Sequence, residues 1–215
     1  MTEKFRTELA LLKHDTIEMA RFAQYMLKES IVVLMNEDIP KAAEFKQKKN
    51  YLRELSPGLE QRAYQMIAMN QPMAKDMRTI VCTLKIIAAA ERIGRYGKVI
   101  ANMTKHVHNQ PAVSQSMVIP QMADQVIGMI DNAISAYKNE DITLIRDFSS
   151  RDDVVDTLWH SFFQEMVPYM KENPTTVERG TYYIMVARYL ERSGDHACTI
   201  AENVRFMISG ERIDK

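Results

Sequence analysis

The sequence predicts an all-α protein of six long helices, arranged as two pseudo-symmetric three-helix bundles that stem from an internal duplication. Three observations carry this expectation. Seven glycines and seven prolines in 215 residues leave long unpunctuated stretches. Those stretches repeat their apolar residues with a period near 3.6, as amphipathic helices do, and no strand pattern competes. Two short markers recur in the same order at nearly one offset, as a duplicated unit requires.

Taken in order, breakers between periodic segments place helices over 2–36, 38–70, 72–108, 117–139, 141–171 and 175–209. The third, opened by Pro72, carries the stripe Met73, Met77, Ile80, Leu84, Ile87, and the fifth carries Leu144, Phe148, Val155, Leu158, Phe162, Met166. Within the second, Ser56-Pro57-Gly58 is expected to kink or interrupt the helix, because proline lacks the backbone donor and crowds the preceding turn. The polar stretch HNQPAVSQS at 108–116 breaks the periodicity, which divides the chain into units 1–110 and 111–215.

The first marker is Asn36-Glu37-Asp38-Ile39, repeated as Asn139-Glu140-Asp141-Ile142, each where one helix gives way to the next. The second is ERIG at 91–94, repeated as ERSG at 191–194 and followed by Ile100-Ala101 and Ile200-Ala201. Each unit is thus a three-helix copy of the other.

Composition narrows function. Apolar residues make up 46% of the chain, enough for a packed core. Twenty-eight basic and 28 acidic residues cancel, so no overall positive field holds nucleic acid or an anionic membrane. The N-terminus MTEKFRTELALLKHD interleaves charge with apolar residues, unlike a secretory signal. The apolar run IVVLM at 31–35 is far too short to span a bilayer. The expected location is the cytoplasm, without membrane insertion. Cys82 and Cys198 read as small buried thiols rather than a disulfide. The sixteen methionines read chiefly as core filling, some of them leaving adaptable faces for partner helices.

The duplication supplies an internal control, because packing positions keep their character while functional positions are free to diverge. Lys49, Asn50 and Arg53 of the first copy stand where the second has Asp152, Asp153 and Asp156. Glu91 is kept as Glu191, but Arg95 stands where the second copy has Asp195. Asp152 and Asp156 share a face of the fifth helix, and Glu191 and Asp195 a face of the sixth, with Glu202 further along. If the two helices are neighbours, four or five carboxylates converge. Such a cluster suits a hard cation such as Mg²⁺, Mn²⁺, Ca²⁺ or iron, and an imidazole from His160 or His196 would tilt it towards iron, nickel or zinc.

The bland reading is exposed ion pairing of Arg188, Arg192 and Arg205 with Glu191, Asp195 and Glu202 along one helix. That accounts for the sixth helix alone and not for the acids on the fifth. In the first copy, Glu91 and Arg95 are spaced for an intrahelical ion pair that Lys49 and Arg53 can join. That pair is the preferred expectation, and a small anion such as phosphate is its alternative.

The segment ARYLERSGDHACTIAENVRFMISGE at 187–211 resembles the C-terminal motif of the PhoU family of phosphate-uptake regulators, whose pattern runs roughly RYLERIGDHxxNIAE. QPMAKDMRTIVCTLKIIAAAERIG at 71–94 and DDVVDTLW at 152–159 resemble the matching first-half segment and the acidic start of the second copy's middle helix. The resemblance implies paired three-helix bundles that hold multinuclear metal clusters, usually iron or zinc, through ExxxD motifs on the bundle surface. Carried over by position, it implies Glu191 and Asp195 as the intact motif, with Asp152 and Asp156 as partners. Arg95, Lys49 and Arg53 depart from the pattern, which leaves the first copy without an expected cluster; in the second copy Thr199 replaces the pattern's asparagine, a change with no evident consequence. Magnesium, manganese and nickel remain open as alternatives to iron or zinc.

The implied role is negative regulation of high-affinity phosphate uptake. It would act by contact with the ATPase subunit of the phosphate ABC transporter, with a membrane sensor histidine kinase, or with both, as a homodimer and not as an enzyme. Two rivals were weighed. A dinuclear carboxylate oxidase usually draws on Glu-x-x-His pairs, yet the residues three before the five histidines are Leu11, Met103, Lys105, Thr157 and Ser193. A metal-free helical scaffold is the other.

Overall fold

In the computed structural model, which describes residues 2–211 apart from the side chains of 115 and 116, six long helices account for nearly all of the chain. They are α1 Glu3–Met35, α2 Ile39–Asn70, α3 Ala74–Val107, α4 Val118–Asn139, α5 Phe148–Glu172 and α6 Val177–Ser209. Among the described residues there is no strand. The end of the second unit, 212–215, lies outside the described residues.

Three expectations need correction. The fifth helix does not begin at 141: a short 3-10 turn, Ile142–Ile145, precedes it, with the Asp141 carboxylate accepting from the Thr143 N–H. Leu144 and Ile145 keep their apolar phase across the break, which is why periodicity alone fused the two pieces. Similar turns precede α4 at Ser114–Met117 and α6 at Pro174–Thr176. Conversely, α2 runs unbroken through Pro57. Leu52, Ser56, Leu59 and Ala63 are buried on either side of it, so tertiary packing holds the turn that proline weakens. Met73, assigned to the apolar stripe of α3, instead stands just before the helix and is 68% exposed.

The helices form one continuous core. α1, α3, α4 and α6 make its centre: α3 packs on α1 and α6, and α4 on α6 and α1, while α2 and α5 lie on the outside of their own copies. α5 buries only Phe148, Val155, Phe162 and Met166. At about 1.5–3 kcal/mol per buried side chain of this kind, the outer helix is held by few anchors.

Both repeated markers have a structural meaning. Glu37 and Glu140 each adopt the left-handed conformation that ends a helix, at φ 52 and 53°, and Asp38 and Asp141 each cap the element that follows. Each glutamate then reaches into the other copy. Glu37 accepts from buried Arg179 at the start of α6, and Glu140 accepts from Lys13 of α1 and Lys75 at the start of α3. The central helices also cap one another. Arg78 of α3 donates to the Met207 carbonyl at the end of α6, and Arg179 of α6 donates to the Val107 carbonyl at the end of α3. These exchanged contacts make α3 and α6 antiparallel partners about a pseudo-twofold axis. Tyr96 and His196, equivalent positions in the two copies, stack where the helices cross, with centroids 5.8 Å apart.

Candidate metal centre

Val155 and Phe162 bury the inner edge of α5 against the second copy and thereby orient the acids one position or one turn away. Asp152 reaches the backbone of α6 itself: a Cβ added to Gly194 would lie 3.7 Å from its Oδ1 and 3.8 Å from Val155 Cγ1. That is ordinary van der Waals contact, so the glycine is not forced by sterics there. The contact shows that the Asp152 carboxylate lies close to the helix that carries Glu191 and Asp195.

The structure brings all four predicted acids within electrostatic reach. The Asp152 carboxyl is pushed above its ordinary range by burial, opposed by the neighbouring Cys198 thiol, and further raised by Asp156, Asp195 and Asp153. Glu191 is raised by burial and then by Asp195, against Arg188; Asp156 adds to the rise and Arg192 opposes it. Glu191 is 8% exposed; its Oε1 accepts from Arg188 Nη1, while its Oε2 is buried and has no partner. An orphaned buried oxygen of this kind costs on the order of 1–3 kcal/mol. Among the described residues, no ion pair within 4.0 Å reaches Asp152, Asp153, Asp156 or Asp195. Of the ion pairs that the bland reading invokes, Arg188 with Glu191 is formed, whereas the Arg205 guanidinium faces the Ile145 carbonyl.

The remaining candidates divide. His160 lies on the exposed side of α5, and its Nδ1 sits 2.8 Å from the Asp156 carbonyl. A carbonyl only accepts, so Nδ1 carries the proton and Nε2 keeps a free lone pair one turn from Asp156. His196 is turned to the α3–α6 crossing, stacked on Tyr96, and burial with Arg92, Arg192 and Arg95 depresses its pKa against the opposing pull of Asp195. It does not face the acids of α5. Glu202 is exposed on α6 and acts electrostatically on Cys198. The residue that sequence reasoning missed is Cys198. It is half-buried beside Asp152, and burial and the negative charges of Asp152, Asp195 and Glu202 push its thiol pKa up. Its signal was spacing, since Glu191, Asp195, Cys198 and Glu202 follow one face of α6.

The first copy differs from expectation. Glu91, Arg95, Lys49 and Arg53 form no ion pair within 4.0 Å among the described residues. Spacing allows the Glu91 to Arg95 pair, but the pair is not formed: Arg53 and Arg95 are exposed, and Lys49 and Glu91 are half-buried.

The second copy fits a cation in donor chemistry: oxygen donors from two helices, one orphaned oxygen and uncompensated negative charge. It is an open arrangement. Among the described residues no three His, Cys, Asp or Glu side chains are gathered closely enough to enclose an ion. Neither described cysteine is in a disulfide.

Comparison with known proteins places this geometry in a family. The PhoU domain model matches residues 16–104 and 119–204, one match per copy. A protein from Caulobacter vibrioides named phosphate-specific transport system accessory protein PhoU homolog is 31% identical over 212 residues, covering 98% of this chain and 92% of its own length. A protein of the same name from Clostridium acetobutylicum is 28% identical over 216 residues, covering 100% of this chain and 99% of its own. The crystal structure of PhoU from Pseudomonas aeruginosa superimposes with a TM-score of 0.92 at 24% identity, over 96% of this chain and 100% of that one. With that of PhoU from Streptococcus pneumoniae the score is 0.89 at 20% identity, over 98% and 100%. With both copies matched across most of its length, the chain belongs to the PhoU domain family.

Proposed function

We propose that this protein is a metal-binding negative regulator of high-affinity phosphate uptake and phosphate signalling. It acts in the cytoplasm as a homodimer, by contact with the ATPase subunit of the phosphate ABC transporter, a membrane sensor histidine kinase, or both. The observation that supports the regulatory role most is full-length similarity to proteins named as accessory to phosphate-specific transport. Among the described residues no helix is long and apolar enough to cross a membrane, which suits a partner that works by docking. No catalytic step is part of this reading.

Asp152 and Asp156 from α5 and Glu191 and Asp195 from α6 are the residues that would hold the cation, iron or zinc by preference, with magnesium, manganese or nickel as alternatives. A bound cation would supply positive charge that offsets four carboxylates and links two helices. The chain's own residues set the consequence. Arg188 now occupies Glu191 Oε1 and lies over the Trp159 ring at 5.9 Å, so it competes with a cation for the same carboxylate. Because α5 rests on few buried anchors, joining it to α6 would stiffen the face that a partner meets. A metal-free scaffold is the second reading, favoured by that same Arg188 contact and by the open spacing of the donors.

The test is recovery of partners from native lysate at high and low phosphate, using untagged protein and antibody capture. The regulator reading expects a phosphate-transporter ATPase subunit or a sensor kinase, with recovery that changes with phosphate. A reproducible set of unrelated partners, indifferent to phosphate, would overturn it.

A further inference from the structure

The first copy presents a site of its own, independent of the metal reading. α3 approaches α2 so closely at Gly94 that a Cβ there would lie 2.1 Å from Leu52 Cδ1. Lys49 and Arg53 flank Leu52 on α2, and Arg95 and Lys98 follow Gly94 on α3. These four stand at the positions taken by Asp152, Asp156, Asp195 and Cys198 in the second copy. There, residues at these positions act on each other's charge, and Asp152 and Cys198, equivalent to Lys49 and Lys98, are neighbours across the two helices. The same backbone register in the first copy therefore surrounds one helix contact with four cations and Glu91.

Among the described residues none of the four forms an ion pair within 4.0 Å. Arg92 and Arg192 add positive charge from the α3–α6 crossing, both acting on His196 as Arg95 does. Glu54, beside Arg53 in sequence, lines the groove between α1 and α2 and is turned from this contact. Arg53 and Arg95 are exposed, while Lys49 and Lys98 are half-buried, so the heads are accessible and the stems are held.

Four cations beside one carboxylate leave an excess of positive charge, and its complement is an anion bearing more than one negative charge. Guanidinium forks match the paired oxygens of such an anion, and lysines supply point charges beside them. We propose that Lys49, Arg53, Arg95 and Lys98 form a binding site for a phosphate-type oxyanion, taken either free or as the phosphoryl group of a larger molecule. The second copy would hold a cation and the first an anion, at equivalent places in one fold.

The test is NMR titration of the full chain, metal-stripped and in phosphate-free buffer, with inorganic phosphate in one arm and ATP in another. The expected result is saturable shifts at the Arg53 and Arg95 side-chain N–H groups in at least one arm. Tighter binding of phosphate assigns the free anion, and tighter binding of ATP assigns a phosphoryl group on a larger molecule. The double variant Arg53→Asp with Arg95→Asp copies residues that the second copy already accommodates at these positions. It should weaken binding by about fivefold or more, the loss of two charge-assisted contacts, while Lys46→Ala on the same helix leaves it unchanged. Circular dichroism melting of both variants establishes that they are folded. Absence of saturation in both arms, a smaller loss in the double variant, or an equal loss in Lys46→Ala would overturn the proposal.

Discussion

Tyr96 and His196 stack on one another at an interplanar angle of 27°, although they stand at the same position in two copies of one helical unit. The contact lies on the pseudo-twofold axis. One residue earlier in each copy the charge reverses, Arg95 on α3 against Asp195 on α6.

His196 should make the protein sensitive to mild acid. Burial, Arg92, Arg192 and Arg95 lower its folded pKa, and Asp195 opposes them. A histidine with a depressed folded pKa stays neutral in the fold while the unfolded chain takes up the proton. Its contribution is therefore present above the unfolded value, about 6.5, and is lost as pH falls below it. Replacement His196→Tyr, which repeats the residue of the first copy, should flatten the drop in denaturation midpoint between about pH 7 and 5. An unchanged drop would contradict this.

Arg179 should be the most costly single charge to remove. It is buried, bonds Glu37 and caps the end of α3 through the Val107 carbonyl. Arg179→Ala removes two bonds made by a buried charge, although Glu37 keeps the Asn109 N–H and the Val107 carbonyl keeps the Gln110 N–H, and a loss of about 2 kcal/mol is expected in urea unfolding. Arg179→Lys should recover more than half of that, since both contacts come from the single nitrogen Nη2 and one ammonium has donors enough for the two acceptors.

Asp152 should act in the opposite sense. Burial and its acidic neighbours raise its pKa in the fold, with the Cys198 thiol opposing. A raised folded pKa contributes stability below the unfolded value, which is lost as pH rises through the folded one. At neutral pH the ionised group is then a burden on the metal-free protein, so Asp152→Asn should raise its melting temperature. The gain should disappear when pH falls into the carboxylate range. A lower melting temperature at neutral pH would show that Asp152 already has a neutralising partner.

Much of this was legible beforehand, because long helices repeat their apolar pattern many times and a duplicated chain repeats its markers. The acids on α5 and α6 were legible for the same reason, as departures from an otherwise conserved pattern between copies. Other features depend on how elements meet. That Glu37 and Glu140 cross into the opposite copy follows from the antiparallel seating of α3 and α6, which no local pattern encodes. Helical spacing places Glu91 four residues before Arg95, yet spacing does not decide whether exposed side chains pair or face solvent. Cys198 reads from sequence as a small buried thiol, and its place beside Asp152 depends on the α5–α6 seam.

Trp159, the single tryptophan, should report on the acids. Arg188 lies over its ring and holds Glu191. Adding zinc to the metal-free chain should displace the guanidinium from Glu191 and change the tryptophan emission, and Arg188→Ala should abolish that response. Zinc binding seen by mass spectrometry without any change in emission would place the ion elsewhere.

The central claim, that the second copy gathers a cation between α5 and α6, is tested most directly by thermal unfolding of the metal-stripped chain during titration with zinc, iron or manganese. A cation held by the fold should raise the melting temperature in proportion to the logarithm of its concentration, and the double change Glu191→Ala with Asp195→Ala should remove that rise. An unmoved melting temperature with every metal, or an equal rise in the double variant, would contradict it.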